Sequence, residues 1–385
     1  ALAGLGTRPF GFYVHVPFCA TRCGYCDFNT YTAEELGPGV SRATFADQAV
    51  AEVRLARRVL GDVDLPVETV FVGGGTPTLL PAGDLGRILA AIRAEFGLAP
   101  GAEVTTEANP DSVGPESLER LRADGFTRMS FGLQSTAQHV LQVLERTHTP
   151  GRSVAAVGEA RAAGFEHVNV DLIYATPGET EADFAASLEA AVASGADHVS
   201  AYSLIVEDGT RLAARVRRGE IADVDDDVAA DRYLQADAAL GAGGLAWYEV
   251  SNWARPGGEC RHNLGYWRGD DWWGVGPGAH AHVGGVRWWN VRHPAAYAAR
   301  IAAGESPGQA REVLSADDVR VEQVLLRVRL AEGLPLDLLD RAGRAVAVRA
   351  ASDGLADAAA LGQGRLVLTL RGRLLADALV RDLVG

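Results

Sequence analysis

The sequence predicts an α/β protein: a partial (β/α)6 barrel resembling a TIM barrel, with a smaller, mainly helical C-terminal domain. The first observation is a regular alternation in the first half of the chain. Short segments rich in Val, Ile, Phe and Tyr alternate with amphipathic stretches rich in Ala, Leu, Glu and Arg. The second is the order of these segments, because strands that alternate with helices form parallel sheets with right-handed crossovers. Six such units fall short of the eight of a complete TIM barrel.

The elements follow one another along the chain without an obvious low-complexity linker. The predicted strands are 12–16, 69–73, 103–107, 128–133, 167–173 and 198–204. The predicted helices between them are 44–60, 84–96, 115–123, 152–163 and 181–194. Chemistry in barrels of this kind gathers at the carboxyl ends of the strands, so the polar residues at those ends are the first candidates for a site.

Composition narrows the class of protein. The chain has 385 residues, of which 48% are hydrophobic and 22% charged, as expected for a globular protein with a large core. Its net charge is −14 and all of its basic residues are arginine. An acidic chain is a poor general binder of nucleic acid, because phosphate contacts need a positive surface. No apolar run approaches the length of a membrane span, and the first ten residues do not predict a secretory signal.

Cysteine usage indicates a reducing compartment. Only four cysteines are present, and three of them are too close together for a disulfide framework. We therefore expect a cytoplasmic protein, with a peripheral association at the inner face of the membrane left open.

Three domains are expected: residues 1–220 for the barrel, 221–293 for a segment that closes it, and 294–385 for a helical and winged-helix-like module. The middle segment has a distinct composition, since it contains all seven tryptophans together with His262, His280 and His282.

The strongest motif is a cysteine loop directly after the first strand. Cys19, Cys23 and Cys26 have the spacing C-x3-C-x2-C. Three thiolates on one short loop can hold three irons of a [4Fe–4S] cluster and leave the fourth iron open. The alternative is a structural zinc site, which normally needs four protein ligands. The fourth would then be His15 or the distant Cys260.

The cysteine loop and its flanks, with Pro17 before it and Tyr25 before the last cysteine, resemble the radical S-adenosylmethionine (SAM) superfamily. In that family the amino and carboxylate groups of SAM chelate the open iron, and an electron from the reduced cluster cleaves the sulfonium to a 5′-deoxyadenosyl radical. The resemblance therefore implies two cofactors that carry the chemistry, which the protein positions.

A glycine-rich segment follows the second predicted strand, in the sequence VGGGTPT from Val72 to Thr78. Glycines let a backbone approach a ligand closely and present bare N–H groups. No Gly-Lys-Ser/Thr follows, so the segment is not a P-loop. Taken alone it is equally typical of a tight barrel turn. Beside the cysteine loop it resembles the family's glycine motif, which contacts the amino group of SAM.

Polar residues end three successive predicted strands. They are Glu107 in TTEANP, Gln134 in SFGLQS and Asp171 in VDLIY. One such residue is usually a strand-end cap, but three in order predict a convergent site. Arg146 can pair with a carboxylate through two hydrogen bonds, although a solvated helix charge is the alternative.

These segments together resemble the coproporphyrinogen oxidase-like branch of the superfamily over nearly the whole barrel. The resemblance implies that Tyr13 packs at the cluster–SAM site. It also implies SAM contacts from the following residues: Tyr25, Gly74, Gly75, Thr76, Glu107, Gln134, Arg146 and Asp171.

Two subfamilies of that branch compete. The oxygen-independent coproporphyrinogen III dehydrogenases carry a further cysteine two positions after the third, where this chain has Phe28. The HemW family of heme chaperones has an aromatic residue there and the motif H-N-x-x-Y-W, present here as HNLGYW from His262 to Trp267. The resemblance is closer to HemW. It implies heme binding at His262, with imidazole as the axial ligand, unless His262 caps a turn in a tryptophan core. His280, His282 and Cys260 are secondary candidates.

The expected function is that of a heme chaperone, which binds a [4Fe–4S] cluster, SAM and heme and delivers heme to apo-hemoproteins such as respiratory enzymes. Radical decarboxylation of coproporphyrinogen III is the alternative, and radical chemistry on another tetrapyrrole is a third. The sequence leaves open whether SAM is cleaved and whether a cluster-dependent homodimer forms.

Overall fold

The computed structural model describes residues 4–37 and 40–385. Its centre is a twelve-stranded sheet in the order β12-β11-β10-β9-β1-β2-β3-β4-β5-β6-β8-β7. The six central strands, β1 to β6, lie side by side in chain order and are all parallel. The predicted α/β fold with a six-stranded partial barrel is therefore confirmed.

The six central strands match the predicted positions closely, and the region from residue 246 to 313 adds further strands that the apolar alternation did not predict. The strands of the large sheet are β1 (Phe10–Val16), β2 (Val67–Gly74), β3 (Leu98–Ala108), β4 (Arg128–Gln134), β5 (His167–Tyr174), β6 (His198–Ser203), β7 (Ala246–Glu249), β8 (Asn252–Ala254), β9 (Asp271–Val275), β10 (His280–Val283), β11 (Val286–Asn290) and β12 (Gly308–Val313).

Helices connect the central strands and cover their outer face. Those of the barrel are α1 (Arg42–Leu60), α2 (Ala82–Phe96), α3 (Pro115–Asp124), α4 (Gln138–Val143), α5 (Arg152–Ala162), α6 (Glu181–Ala193), α7 (Arg211–Arg217) and α8 (Asp226–Ala242). Those that follow are α9 (Arg261–Arg268), α10 (Pro294–Ala302), α11 (Ala316–Arg327), α12 (Arg341–Ser352), α13 (Ala358–Gly362), α14 (Leu370–Leu374) and α15 (Ala376–Val384). Over the described residues, none of these helices is both long enough and apolar enough to cross a membrane.

The central strands have an apolar face and a polar face, because successive side chains of a strand point to opposite sides. In β1, Phe12 and Val14 are fully buried in the core beneath the helices. The alternate face is polar and links neighbouring strands. Ser130 of β4 donates to Asp171 of β5 at 3.2 Å, and Asn169 of β5 bonds to His198 of β6. The barrel interior is therefore lined with groups that can hydrogen-bond or titrate.

Residues of the 221–293 window extend the sheet at both edges. β8 pairs antiparallel with β6, and β7 pairs with β8. At the other edge β9 pairs parallel with β1, and β10 and β11 continue antiparallel; β12, from beyond this window, pairs antiparallel with β11. α9, which carries the HNLGYW motif, lies between β8 and β9 along the chain and contacts β2.

A buried carboxyl group ties the added strands to the barrel. Glu52 of α1 is fully buried and accepts hydrogen bonds from the backbone N–H of Gly276, from Asn290 and from the hydroxyl of Tyr297, at 2.8, 2.8 and 2.6 Å. Burial raises the pKa of Glu52 to about 7 against the effect of these donors. The group therefore joins the first barrel helix to the β9–β10 turn, β11 and α10.

The C-terminal module has its own apolar core, which begins at Val324 and ends at Leu383. It contains α11 to α15 and a short antiparallel pair, β13 (Leu334–Pro335) with β14 (Arg365–Leu366). The expected smaller, mainly helical C-terminal part is confirmed. α10 and β12, which follow residue 293, still pack on the barrel helix α1 and on β11, and the exact domain limits stay a prediction.

Candidate functional site

A cavity of about 420 Å³ opens where the central strands end and the cysteine loop folds over them. The three cysteines and eight residues expected to contact SAM line it: Tyr25, Gly74, Gly75, Thr76, Glu107, Gln134, Arg146 and Asp171. These residues come from six separate segments of the chain. The fold thus brings together nearly the whole set that the motifs had singled out, and leaves out only Tyr13 and His262.

The cysteine loop closes on itself at its base. The backbone N–H of Tyr31 donates to the carbonyl of Pro17 at 2.7 Å, and that of Cys19 donates to the carbonyl of Tyr31 at 3.0 Å. The glycine-rich segment holds the same base, because the N–H groups of Gly75 and Thr76 donate to the carbonyls of Val16 and Phe18, both at 2.8 Å. Backbone hydrogen bonds thus set the path of the loop.

Glycine is required where these two segments touch. A Cβ atom at Gly75 would collide with the carbonyl oxygen of Phe18 and lie 3.0 Å from Sγ of Cys19. A Cβ at Gly74, whose φ is +111°, would lie 2.7 Å from the ring of His15. The two interpretations of the glycines are therefore compatible. The segment is a tight barrel turn, and it is tight because it packs against the cysteine loop.

Two further elements hold the opposite side of the loop. The N–H of Gly24 donates to the carbonyl of Leu144 at 3.2 Å, and the carbonyl of Gly24 accepts from Leu212 of α7 at 2.8 Å. Glu145 lies against Gly24 and forms an ion pair with Arg211 at 2.7 Å. Glu145 has a φ of +55°, a conformation that costs a non-glycine residue energy. The loop is thus clamped between β1, the α4–α5 connection and α7.

The three thiols are free and half-buried. Burial raises the pKa of Cys19 to about 11 and also raises that of Cys26. Arg146 donates to Sγ of Cys23 at 3.4 Å and places a positive charge beside the thiol.

The arrangement of the thiols bears on which metal group they suit. Within residues 4–37 and 40–385, no three His, Cys, Asp or Glu side chains are grouped so as to hold one metal ion. An iron–sulfur cluster does not require such convergence, because each thiolate binds a different iron. Three thiols on one loop, lining one cavity, therefore fit a cluster better than a single ion.

The proposed fourth zinc ligands do not join the thiols. The ring nitrogens of His15 contact the hydroxyl of Tyr13 and the carbonyl of Asn29, both at 2.9 Å. Cys260 is buried at the other end of the barrel, with its thiol 3.5 Å from Glu103. Neither residue supplies a ligand at the cysteine loop. Cys260 is instead part of the buried interior of the barrel.

Two half-buried carboxyl groups face the cavity. Burial and, secondly, the charge of Asp171 raise the pKa of Glu107 to about 8, although the N–H of Gly74 donates to it at 3.0 Å. Burial also raises the pKa of Asp171, against hydrogen bonds from Asn169 at 2.7 Å and Ser130 at 3.2 Å. Two such groups suit a ligand that brings a positive charge, since a nearby cation favours their ionised forms.

Gln134, at the end of β4, has the mark of a binding residue. Its φ is +63°, its side chain is buried, and its carbonyl oxygen Oε1 has no hydrogen-bond partner among the described residues. An unpaired buried acceptor costs about 1–3 kcal/mol, and strained backbone conformations cluster at sites of function. The orphan acceptor and the strain together indicate a ligand that donates a hydrogen bond here.

Tyr13 lies beneath the cysteine loop but faces a second, larger cavity. Its hydroxyl bonds to His15, and its ring stacks on Phe71 at 6.4 Å. The second cavity has a volume of about 1140 Å³ and is also lined by Cys26 and Phe28. Since Cys26 and Phe28 line both cavities, the two meet at the end of the cysteine loop.

His262 is not in either of these cavities. It is 3% exposed, and its ring nitrogens bond to the hydroxyls of Thr69 and Tyr266, both at 2.8 Å. Its backbone N–H donates to Glu103, four residues before Glu107 on β3, which places it about 13 Å further down the barrel. Burial lowers the pKa of His262 to about 3.

The expectation that His262 ligates heme stays a prediction, and in this structure the ring is not free to take a metal. Both ring nitrogens are engaged, and the ring is packed on Phe71 at 5.3 Å. Polar groups at this end of the barrel explain why His262 lies here, because a buried imidazole is stable only where its ring nitrogens have hydrogen-bond partners. Among the secondary candidates, His280 and His282 do line the larger cavity.

The sequence analysis did not predict several residues that support the site. Ser130 and Asn169 orient Asp171, and Glu145 supports the cysteine loop. The alternation of β4 and β5 offered a signal for the first two, since Ser130 and Asn169 share the polar face with the predicted residues. No local pattern marked Glu145, because its contact with Gly24 joins segments that are distant in sequence.

Comparison with known proteins agrees with this geometry. The family model of the radical SAM superfamily matches residues 13–191, which include the cysteine loop and all the polar strand ends. In structure, the chain superposes on coproporphyrinogen III oxidase (HemN) of Escherichia coli with a TM-score of 0.82, over 98% of this chain and 90% of that one. The identity is 24%, so this likeness concerns the fold.

Sequence relatives identify a narrower group. The chain is 57% identical to the heme chaperone HemW of Mycobacterium tuberculosis, over 100% of this chain and 97% of that protein. It is 33% identical to the heme chaperone HemW of Lactococcus lactis, over 85% and 83% of the two chains. A mouse mitochondrial protein, radical S-adenosyl methionine domain-containing protein 1, is 38% identical over 70% of this chain and 59% of its own length. The chain therefore belongs to the radical SAM superfamily and, within it, to the HemW family.

Proposed function

We propose that the protein is a heme chaperone that holds a [4Fe–4S] cluster and SAM at the cysteine loop and passes heme to apo-hemoproteins. The observation that carries the proposal is the convergence of three thiols and eight cradle residues on one cavity, beside a larger cavity with aromatic and imidazole groups. Family membership supports it, because the bacterial relatives are named as heme chaperones.

In this proposal Cys19, Cys23 and Cys26 hold the cluster. SAM supplies the remaining iron ligands and, where it is cleaved, a source of an organic radical. The chain's own groups bind and orient it. Glu107 and Asp171 balance a positive charge, Gln134 accepts a hydrogen bond, and the close packing of Gly74 and Gly75 leaves room for the ligand beside the loop.

Heme is cargo in this proposal rather than a resident group. The acceptors are apo-hemoproteins, among them respiratory enzymes at the inner face of the membrane. A cluster-dependent homodimer and a peripheral membrane association belong to the same proposal, as does cleavage of SAM. The C-terminal module, whose core runs from Val324 to Leu383 apart from that of the barrel, is the part that we propose to contact acceptors.

The cluster is tested first. After anaerobic reconstitution, the unaltered protein should bind about four irons and show iron–sulfur absorbance, as expected for a cluster of this type. Cys19→Ser, Cys23→Ser and Cys26→Ser should each lose both signals. Cys260→Ala is the matched control, since its thiol is remote from the loop, and should keep them. A cluster retained in all three loop variants would contradict the proposal.

Heme handling is tested by titration of the reconstituted protein with heme, followed through the Soret band. Stoichiometric binding, and transfer of the bound heme to an apo-hemoprotein that regains its activity, are expected. Binding without saturation, or bound heme that an acceptor cannot take, would refute the chaperone function.

One feature favours a second candidate, an oxygen-independent coproporphyrinogen III dehydrogenase: the complete SAM cradle. An anaerobic assay with reductant, SAM and coproporphyrinogen III separates the two. We expect no vinyl product from this protein. Its appearance at turnover rates would establish the enzyme and displace the chaperone.

A further inference from the structure

The larger cavity offers a heme site of its own, and we propose that His280 of β10, rather than His262, is the axial ligand that receives heme iron there. This proposal rests on the proposed function and assigns its binding site. It also predicts that heme is bound directly beside the cysteine loop, in contact with the wall that Cys26 and Phe28 form.

The three histidines of the HNLGYW-to-β10 region differ in what their ring nitrogens do. Both nitrogens of His262 are bonded to hydroxyl groups. His282 is buried, with Nδ1 3.1 Å from the carbonyl of Asp270. His280 is exposed to the cavity, and neither of its ring nitrogens bonds to a described residue. It is therefore the histidine that can take a metal without first breaking a hydrogen bond.

The surroundings of His280 suit a ligand imidazole. Its ring stacks on Trp289 at 5.7 Å with an interplanar angle of 22°, which fixes its orientation on the strand. Burial, and after it the charges of Arg292 and Arg287, lower the pKa of His280, so the ring is neutral at physiological pH. Neutral imidazole is the form that binds iron.

The cavity has the size and wall chemistry for a flat, anionic macrocycle. Its volume of about 1140 Å³ lies just above the range of typical small-molecule sites, roughly 300–1000 Å³. Tyr266 and Trp272 add aromatic surface to its lining, and Leu326 of α11 adds aliphatic surface. Aromatic and aliphatic walls of this kind bury the faces of a porphyrin.

Positive charge at the rim matches the two propionates of heme. Arg292 lines the cavity, is exposed, and forms no ion pair with any described residue. Arg287 also lines it but is shared between Glu312 and Glu322, at 3.7 and 2.6 Å. Arg292 is thus the guanidinium available for a carboxylate in this strongly acidic chain, and bidentate pairing is its usual mode.

The experiment is heme titration of the full chain, with absorption and electron paramagnetic resonance spectra of the bound state. His280→Ala should weaken heme binding at least about tenfold and remove the histidine-ligated spectrum, and added imidazole should restore that spectrum. His262→Gln should retain it, and His139→Ala, a change of an exposed histidine on α4, is the matched control.

Charge is tested with a second ligand. Arg292→Gln should weaken binding of heme but leave binding of heme dimethyl ester, which lacks the carboxylates, unchanged. Arg58→Gln, at an exposed position of α1, should alter neither. Unchanged titrations and spectra in His280→Ala would overturn the site while leaving the chaperone function standing. Absence of stoichiometric heme binding in the unaltered protein would overturn both.

Discussion

At the scale of single residues, the position of the cysteine loop depends on a glycine, Gly75, where no side chain fits. Gly75 packs so closely on the loop that even a methyl group would meet the carbonyl of Phe18 and Sγ of Cys19. Backbone atoms cannot move aside as a flexible side chain can, so a larger residue must displace the loop and with it the thiols.

We therefore expect Gly75→Ala to reduce cluster loading severalfold, because the displaced loop no longer presents its three thiols together. Iron content and iron–sulfur absorbance after anaerobic reconstitution measure this. Gly158→Ala is the control: this glycine is exposed within α5, nothing lies within 4 Å of the added Cβ, and the change should stabilise the helix by about 0.5–1 kcal/mol. Equal loading of both variants would contradict the packing argument.

Glu107 predicts how SAM binding depends on pH. Its pKa of about 8 means that the carboxyl group is largely neutral at pH 7 while the cavity holds no cation. The positive charge of bound SAM favours the ionised form, so binding expels a proton below about pH 8. SAM affinity should then rise with pH, by at most about tenfold per unit, and level off above that value.

Calorimetric titrations of the reconstituted protein between about pH 6 and pH 9 measure this dependence. Methylthioadenosine, which lacks the amino acid part of SAM, should bind independently of pH. Glu107→Gln should weaken SAM binding and flatten its profile. A profile for SAM that is flat in the unaltered protein would show that Glu107 does not meet the cation.

At the scale of elements, an arginine of α14 is one of the residues that join the C-terminal module to the barrel. Arg373 forms an ion pair with Asp237 of α8 at 2.8 Å and stacks on Trp247 at 4.3 Å. Asp237 also accepts from the indole N–H of Trp253 at 3.0 Å. The pair is mostly shielded from solvent, so it is worth more than a surface ion pair.

Arg373→Ala should lower the free energy of unfolding by about 1–3 kcal/mol, because it leaves Asp237 without its cation and exposes Trp247. Chemical denaturation with tryptophan fluorescence, together with limited proteolysis of the C-terminal module, measures the change. Arg381→Ala on α15 changes an exposed arginine of the same module and should be neutral. If the denaturation curves of the two variants were the same, the C-terminal module would be held to the barrel mainly by other contacts.

The central strands and their helices were predictable, since each depends on local apolar spacing. β7 to β12 were not, because their residues carry no simple alternation. Trp272 and Trp273, for example, are adjacent yet both belong to β9. These strands form where earlier strands offer free edges, and Glu52 holds them from a helix more than two hundred residues away in sequence.

At the scale of the whole molecule, the two cavities share one wall. Cys26 and Phe28 line both, and Phe28 is 59% exposed, which is unusual for a large apolar side chain without a partner. Phe28 therefore separates the cluster cavity from the proposed heme cavity without contributing much to the core.

Phe28→Ala should leave the folding stability within about 0.5 kcal/mol of the unaltered protein, and should speed bleaching of the cluster in air severalfold. The physical reason is that the smaller side chain opens a path between the cavities. Thermal melts and the decay of iron–sulfur absorbance measure the two effects. Ile205→Ala, at a residue that is 64% exposed elsewhere, should change neither. Unaltered bleaching would exclude a shielding role for Phe28.

The sequence by itself determined the family, the barrel and the residues of the proposed cluster and SAM cradle, because motif spacing and strand alternation are local properties. Only the tertiary structure decided where each of them faces. It gathered the cradle residues into one cavity and buried His262 with both ring nitrogens hydrogen-bonded. It left the ring nitrogens of His280 without a partner among the described residues, in the larger cavity. The physical reason is that hydrogen-bond satisfaction and burial depend on contacts between distant segments. A motif can name a histidine, but the packing around it determines whether a nitrogen is free to bind.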